Sequence, residues 1–368
     1  MAGMLVLAGI LYLGLTPDSV ANRDYIEYWA AGQQLSHGGN PYDTAAIYRL
    51  QKPAGLEGMK PKVSFSPPVA LVLMAPLGWV SAKTGLILWS IALLSSTALS
   101  LWIVWMLNGR PDSRLHLLGF LFAPLVVCQM AGQIGDFLLL GVAIFLLLHR
   151  SRPFLAGAAL LPCAWKPHLF LPMAIVLVLW VLLHRAYWIL AGFLVTLLAT
   201  STLTVAMDHQ VWTQYARMMG TTGVLTAFVP TLSSVLKFLI DVHASWLQYV
   251  PEGLACVWGC WYFWTRRERW QWTEQGMLLL LISVMCTPYA WVTDEAVLLP
   301  AVLAGLYRVT RAGRSPLLLW VLCGVALVEA LAVVRIDSIY YLWTTPAWLG
   351  WYLYATRSKI GEAEPATV

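Results

Sequence analysis

The sequence predicts an all-α membrane protein: a polytopic bundle of about twelve transmembrane helices with a long first extracytoplasmic loop that contains short juxtamembrane helices. Three observations predict it. The chain has 368 residues, of which 60% are hydrophobic and 11% charged, against roughly 25% charged in a soluble domain. Its mean hydropathy is +0.70. Its Lys and Arg residues stand singly between apolar runs, where they act as topology signals. The net charge of +5 comes without a basic stripe interleaved with aromatics, so nucleic acid is excluded and the lipid bilayer is the implied partner.

The apolar segments run 3–16, 84–107, 116–131, 135–149, 153–165, 169–183, 187–206, 248–264, 275–288, 295–307, 316–334 and 339–356. The first lacks the basic n-region of a signal peptide and is short for a span, with Arg23 on its far side. Either the chain starts further upstream or partner helices orient it. Several others are shorter than the roughly 20 residues of a full span, which suits tilted helices or helices that stop early at a cavity. The linkers 108–115, 149–153, 265–272 and 308–315, the position Arg185 and the tail with Arg357 and Lys359 are basic. Placing them inside gives both termini cytoplasmic and puts 132–134, 166–168, 289–294 and 335–338 outside. Residues 66–80 are apolar but carry Pro67, Pro68 and Pro76. They read as a short helix lying at, or re-entering, the outer leaflet; thirteen spans is the alternative. The chain reads as one domain over 1–368, with 18–83 as the first outer loop.

On this map the acids, among them Asp24, Glu27, Asp136, Asp294, Glu295 and Asp337, face outward or sit at the outer interface. The six cysteines lie in or beside apolar segments and read as small apolar fillers, forming neither a disulfide framework nor a zinc site. No metal or cofactor is implied.

The polar stretch from Asp18 to Lys62 gathers acids and aromatics. With a helix over 22–35, Asp24, Glu27 and Tyr28 share one face. Asp24, flanked by Tyr25, Tyr28 and Trp29, fits a general base whose pKa the rings raise by desolvation. An acid at the start of a surface helix is the competing reading. In Gly38-Gly39-Asn40-Pro41-Tyr42-Asp43 the glycines permit a turn and Asp43 caps the next helix. Lys166-Pro167-His168 sits at an outer hairpin tip. A lysine there binds a phosphate as a point charge or snorkels to the interface. Arg335 offers a second cation, and Gly132-Gln133 and Tyr289 with Asp294 form further outer tips.

The run Asp24-Tyr25, Tyr28-Trp29, Gly32 and Gly39-Asn40-Pro41-Tyr42-Asp43 resembles the first outer loop of glycosyltransferase family 87. Pro67-Pro68, Pro76-Leu77, Gly132-Gln133, Lys166-Pro167 and Pro288 followed by Asp294 continue the resemblance in order. It implies the integral-membrane GT-C fold and an inverting transfer of a sugar, mannose foremost, from a polyprenyl-phosphate donor to a hydroxyl of a glycan or glycolipid acceptor. It implies Asp24 as the base, with no metal and no covalent intermediate. The implied site is the outer face of a bacterial inner membrane, where nucleotide sugars are absent. The candidate binding residues are Glu27, Tyr28, Trp29, Asn40, Tyr42, Gln133, Lys166, His168, Tyr289, Asp294 and Arg335. The chain departs from the family pattern at Gly135, where Asn is usual, and at Tyr289, where His is frequent; both bear on sugar and acceptor choice. Two other readings compete: a transporter or flippase of lipid-linked sugars, and a polysaccharide ligase or polymerase. The first would carry two-half symmetry and midplane charges, the second a large late loop.

Overall fold

The computed structural model describes residues 17–221, 228–333 and 339–357. The expected first helix over 3–16, Arg335 and Asp337 lie outside the described residues. Among the described residues all regular secondary structure is helical. The first loop holds α1 (Pro17–Ala21), α2 (Tyr25–Ser36), α3 (Thr44–Gln51) and α4 (Pro68–Met74), the last running into a 3-10 turn at Ala75–Trp79. The bundle continues with α5 (Ala82–Leu107), α6 (Ala123–Ala131), α7 (Gly135–Leu148), α8 (Pro153–Ala159), α9 (Leu171–His184) and α10 (Tyr187–Met207). Then come α11 (Val211–Thr221), α12 (Leu232–Ile240), α13 (Val250–Arg266), α14 (Gln275–Cys286), α15 (Leu299–Arg311), α16 (Leu317–Val333) and α17 (Thr344–Thr356).

The apolar segments fall on these helices, and proline explains where they break. The segment 153–165 divides into α8 and a 3-10 turn at Leu161–Trp165, with Pro162 in its first turn. Proline cannot donate an i→i−4 bond and is tolerated only at such a start. The segment expected at 295–307 is a 3-10 turn over Val292–Leu298 followed by α15, with Pro300 in its first turn. Helices α11 and α12 occupy a stretch to which no apolar segment had been assigned. Two helices, α5 and α10, are long and apolar enough to cross a bilayer; the other apolar helices are shorter. Large apolar side chains nevertheless face outward: Leu194, Val195 and Leu198 on α10, Leu254 and Val257 on α13, and Val321, Val325 and Val328 on α16. Continuous outward apolar stripes of this kind suit hydrocarbon rather than water.

The bundle has two chemically distinct ends. At one, Arg308 pairs with Glu274 at 2.8 Å, Arg311 donates to the Asn108 carbonyl, and Arg314 donates to the carbonyls of Tyr354 and Ala355. The basic linkers thus meet one another. At the other end the acids expected at the outer interface gather, but three of them are buried in protein instead of facing water. Asp136 accepts from Thr97 at 3.1 Å and from Gln129. Asp294 is paired with Lys166 at 2.6 Å. Glu295 accepts from Thr344 at 2.5 Å and Trp348 at 2.9 Å, fastening α17 to the 292–298 turn. A buried carboxyl requires such partners to offset its lost hydration.

Residues 68–79 form a short element of about three turns that packs on α2. The crossing is at glycine: a Cβ on Gly32 would meet the Met74 carbonyl, and one on Gly78 would meet the Gly32 carbonyl. This contact sets the position of α2, and Ser36 adds a hydrogen bond to the Ala75 carbonyl at 2.6 Å. Gly32→Val is expected to cost about 1–3 kcal/mol by forcing the two elements apart. Gly253→Ala, at a site in α13 with nothing within 4 Å, should change stability by less than about 1 kcal/mol. Thermal unfolding in detergent micelles compares the two; equal melting temperatures would contradict the close crossing.

Candidate active site

Asp24 occupies the N-cap position of α2, yet its carboxylate makes no capping bond to that helix. It is used across the fold instead. One oxygen accepts from Gln133 Nε2 at 2.9 Å and the other faces Lys62 Nζ at 3.3 Å. The Oε1 of Gln133 accepts from the Tyr28 hydroxyl at 2.6 Å, closing a relay from α2 to the 132–134 turn and back. Several contacts fix that turn. Trp89 of α5 donates to the Gly132 carbonyl at 2.7 Å, and Arg23 donates to Met130 at 2.7 Å. The rings of Tyr25 and Tyr28 pack on Trp89 at 6.4 and 5.5 Å. Tyr25 and Tyr28 therefore lie against the bundle at Trp89, and an amide and an ammonium contact the Asp24 carboxylate.

The opposite wall comes from the 165–169 turn and the 287–298 segment. Lys166 Nζ sits 2.6 Å from Asp294 Oδ1, and Asp294 Oδ2 accepts the backbone N–H of Trp291 at 3.0 Å. Thr287 donates to the His168 carbonyl at 3.0 Å, joining the two segments. The His168 ring lies edge-on to Tyr289, centroids 5.6 Å apart, and the Tyr289 hydroxyl accepts from Trp291 Nε1 at 2.7 Å. Between the walls lies a cavity of about 220 Å³, lined by Asp24, Glu27, Tyr28, Phe65, Ser66, Gln133, Trp165, Lys166, His168, Tyr289 and Trp291.

Burial, and next the negative charge of Asp24, push the Glu27 carboxyl up to about 8, against the opposing pull of Lys166 and Lys62. Burial pushes the His168 imidazole down to about 4, with Lys166 adding to the fall and Asp294 opposing it. Near neutral pH Glu27 therefore keeps its proton and can donate it in a hydrogen bond, while His168 is neutral. The Nε2 of His168 is buried without a hydrogen-bond partner on the protein.

Seven of the expected site residues line one cavity: Asp24, Glu27, Tyr28, Gln133, Lys166, His168 and Tyr289. Asp294 lies directly behind, holding Lys166. Three others serve the walls. Trp29 donates to the Val80 carbonyl at 3.0 Å, Asn40 accepts from the Tyr42 N–H at 2.9 Å within its turn, and Tyr42 donates to the Ser66 carbonyl at 2.8 Å. Asp43 caps α3, accepting from Ala45 at 2.8 Å and Ala46 at 3.1 Å. Arg335 lies outside the described residues. Sequence reasoning missed Lys62, Phe65, Ser66, Trp165 and Trp291. Trp165 and Trp291 flank charged tips already singled out, whereas nothing in the spacing of Lys62 connects it with Asp24.

The family model of glycosyltransferase family 87 matches residues 66–288. The chain belongs to glycosyltransferase family 87. No curated protein and no solved structure matches it at a significant level. The matched span contains Gln133, Lys166 and His168 but ends before Tyr289 and begins after Lys62. The cavity thus joins side chains within the family span to others on either side of it. As a family 87 member the protein is a membrane glycosyltransferase, working with a sugar donor and an acceptor.

Two stability predictions follow from this geometry. Asp294→Asn leaves the Lys166 ammonium unpaired and should cost about 3–5 kcal/mol, much of it regained in the Lys166→Met/Asp294→Asn pair; thermal unfolding would measure both. The buried groups also give stability two pH dependences of opposite sign, whose windows overlap below neutrality. Glu27 has its folded pKa raised from 4.5 to about 8, so stability falls as pH rises through that window, and Glu27→Gln flattens the slope. His168 has its folded pKa lowered from 6.5 to about 4, so stability falls as pH drops through that window, and His168→Gln removes the loss.

Proposed function

We propose that the protein is an inverting glycosyltransferase that moves a sugar, mannose foremost, from a polyprenyl-phosphate donor to a hydroxyl of a glycan or glycolipid acceptor. The observation that carries the proposal is the cavity itself: it presents the Asp24 carboxylate on one wall and the Lys166 ammonium on the other. Asp24 takes the acceptor proton as that oxygen attacks the anomeric carbon from the face opposite the phosphate. Lys166 neutralises the departing phosphate. Glu27 and His168 supply a donor and an open ring nitrogen for sugar hydroxyls.

A second feature supports a lipid-linked donor. An apolar groove of about 220 Å³ is lined by Leu160, Pro167, Phe170, Leu177, Ile189 and Phe193 among others. Pro167 belongs to the same turn as Lys166 and His168, so the groove starts beside the proposed phosphate site and runs between the 160–170 stretch, α9 and α10. It offers hydrocarbon a place beside a cation, which a soluble nucleotide sugar would not use. The charged groups of the site gather at one end of the bundle and not at mid-depth, which favours an enzyme over a transporter. We read the Arg-rich end as cytoplasmic and the cavity as facing the periplasm of a bacterial inner membrane, in one domain of about twelve spans.

Transfer assayed in proteoliposomes with polyprenyl-phosphate mannose tests the reading. Asp24→Asn should lower kcat by about a thousandfold with an unchanged melting temperature; near-normal turnover in that variant would refute the base assignment. Lys166→Ala should mainly weaken donor use, and an unaltered donor dependence would remove Lys166 from the phosphate site.

A further inference from the structure

We propose that Lys62 is a charge-following catalytic residue, which holds Asp24 in the resting site and transfers to the leaving phosphate as the sugar moves. The proposal rests on the reaction proposed above and adds a residue and a step to it.

The side chain is held at its base and loose at its tip. The buried Gln51 of α3 clamps the Lys62 backbone from both sides, accepting its N–H at 3.0 Å and donating to its carbonyl at 2.6 Å. Four residues on, Tyr42 fixes the Ser66 carbonyl at 2.8 Å, so the segment that runs from Lys62 to the cavity-lining Phe65 and Ser66 is pinned at both ends. A side chain serving only as a surface counter-ion gains little from a backbone clamped by a fully buried amide. Beyond the clamp the ammonium rests 3.3 Å from Asp24 Oδ1 and 3.0 Å from the Asn22 carbonyl. It remains 25% exposed, and its positive charge reaches Glu27 inside the cavity.

The other lysine of the site is differently placed. Lys166 is 2.6 Å from a carboxylate with no exposure at all. Drawing it away would leave Asp294 charged and buried beside one backbone N–H, a costly state. Lys62 holds a longer and wetter contact to a carboxylate that is 20% exposed. Ion pairs of that kind are worth little, so exchanging one partner for another is cheap. A lysine ammonium on its flexible stem is also suited to such an exchange.

The charge balance of the reaction gives the exchange a direction. The acceptor oxygen forms a bond to the anomeric carbon, and the bond from that carbon to the phosphate oxygen breaks with its electron pair on the phosphate. The acceptor proton passes to Asp24. Asp24 thereby loses one negative charge, and the polyprenyl phosphate, a phosphodiester before and a monoester after, gains one. Negative charge leaves the group Lys62 contacts at the start and arrives on the leaving group. A cation able to touch both stabilises the transition state more than the ground state, which is the requirement for catalysis. The groups facing this path are Asp24 and Glu27 from α2, Gln133 from its turn, Lys166 and His168 from theirs, and Tyr289 and Asp294 from the 287–298 segment.

The test compares wild-type enzyme with Lys62→Met, Lys62→Gln and Lys62→Arg in proteoliposomes. It measures kcat, the donor KM and the inhibition constant of free polyprenyl monophosphate, with melting temperature as a folding control. Lys62→Met and Lys62→Gln should lower kcat by about a hundredfold. They should weaken inhibition by the monophosphate about tenfold more than they raise the donor KM, because the product carries the extra charge. Lys62→Arg should restore most of both. If product inhibition and donor KM shift by the same factor, or kcat is unchanged in folded neutral variants, Lys62 is an ordinary counter-ion and the proposal fails. Wild-type enzyme that transfers from no polyprenyl-phosphate sugar overturns the reaction and this proposal together, whereas active wild type with equal shifts overturns this one alone.

Discussion

The site depends on one buried ion pair, Lys166 with Asp294 at 2.6 Å. It joins the turn between α8 and α9 to the segment preceding α15, regions 128 residues apart. An ammonium in that setting needs a carboxylate, and the carboxylate needs a second donor, which the Trp291 N–H supplies at 3.0 Å. Everything on that wall follows from the pair. Trp291 is tied to it through its backbone N–H and to Tyr289 through its indole, and the Thr287 bond to the His168 carbonyl joins the two segments again. Glu295, the next residue, extends the same logic to α17 through Thr344 and Trp348.

The facing wall is built on a different constraint, the approach of α2 to the 68–79 element. With no side chain at Gly32 and Gly78 the two backbones touch, and α2 is seated so that its first turn, not its middle, meets the 132–134 turn. Gly135 adds a further close approach. Here a Cβ would meet the Thr293 carbonyl, so the absence of a side chain lets α7 close against the segment that carries Asp294.

Much of this was legible in the sequence, because hydropathy and charge act locally. Segment limits such as 187–206 and 135–149 fall within a residue or two of α10 and α7, since an apolar run between Arg-bearing linkers has few other fates. Asp24, Gln133 and Lys166 were reached through the ordered motifs of the resemblance, and His168 through the hairpin tip that carries Lys166. The fate of the aromatics was not. Tyr25, Tyr28 and Trp29 alternate around a helix, and which of them faces the bundle depends on Trp89, some 60 residues away, which no local pattern reveals. Lys62 was hidden for the same reason: its meeting with Asp24 is made by Gln51 clamping a loop without regular structure. Burial of Asp136, Asp294 and Glu295 was hidden because an acid at a helix end reads alike whether water or a protein donor satisfies it.

The distribution of carboxyls around the cavity bears on how the site divides its labour. Asp136, Asp294 and Glu295 are held by fixed internal donors, and none of them lines the cavity. Among the described residues only the carboxyls of Asp24 and Glu27 do, one turn apart at the head of the same helix. Two carboxylates that close repel, and the buried one yields by keeping its proton. Glu27 is that one, pushed up to about 8 by burial and by Asp24. The other has an ammonium and an amide at its oxygens. With its proton kept, Glu27 is a hydrogen-bond donor, and the Asp24 oxygens are held as acceptors by Lys62 and Gln133. The assignment does not come from the acids alone. It comes from the burial of Glu27 and from the contacts of Lys62 and Gln133 with Asp24, and so from a loop and a turn that the fold brings together at the head of α2.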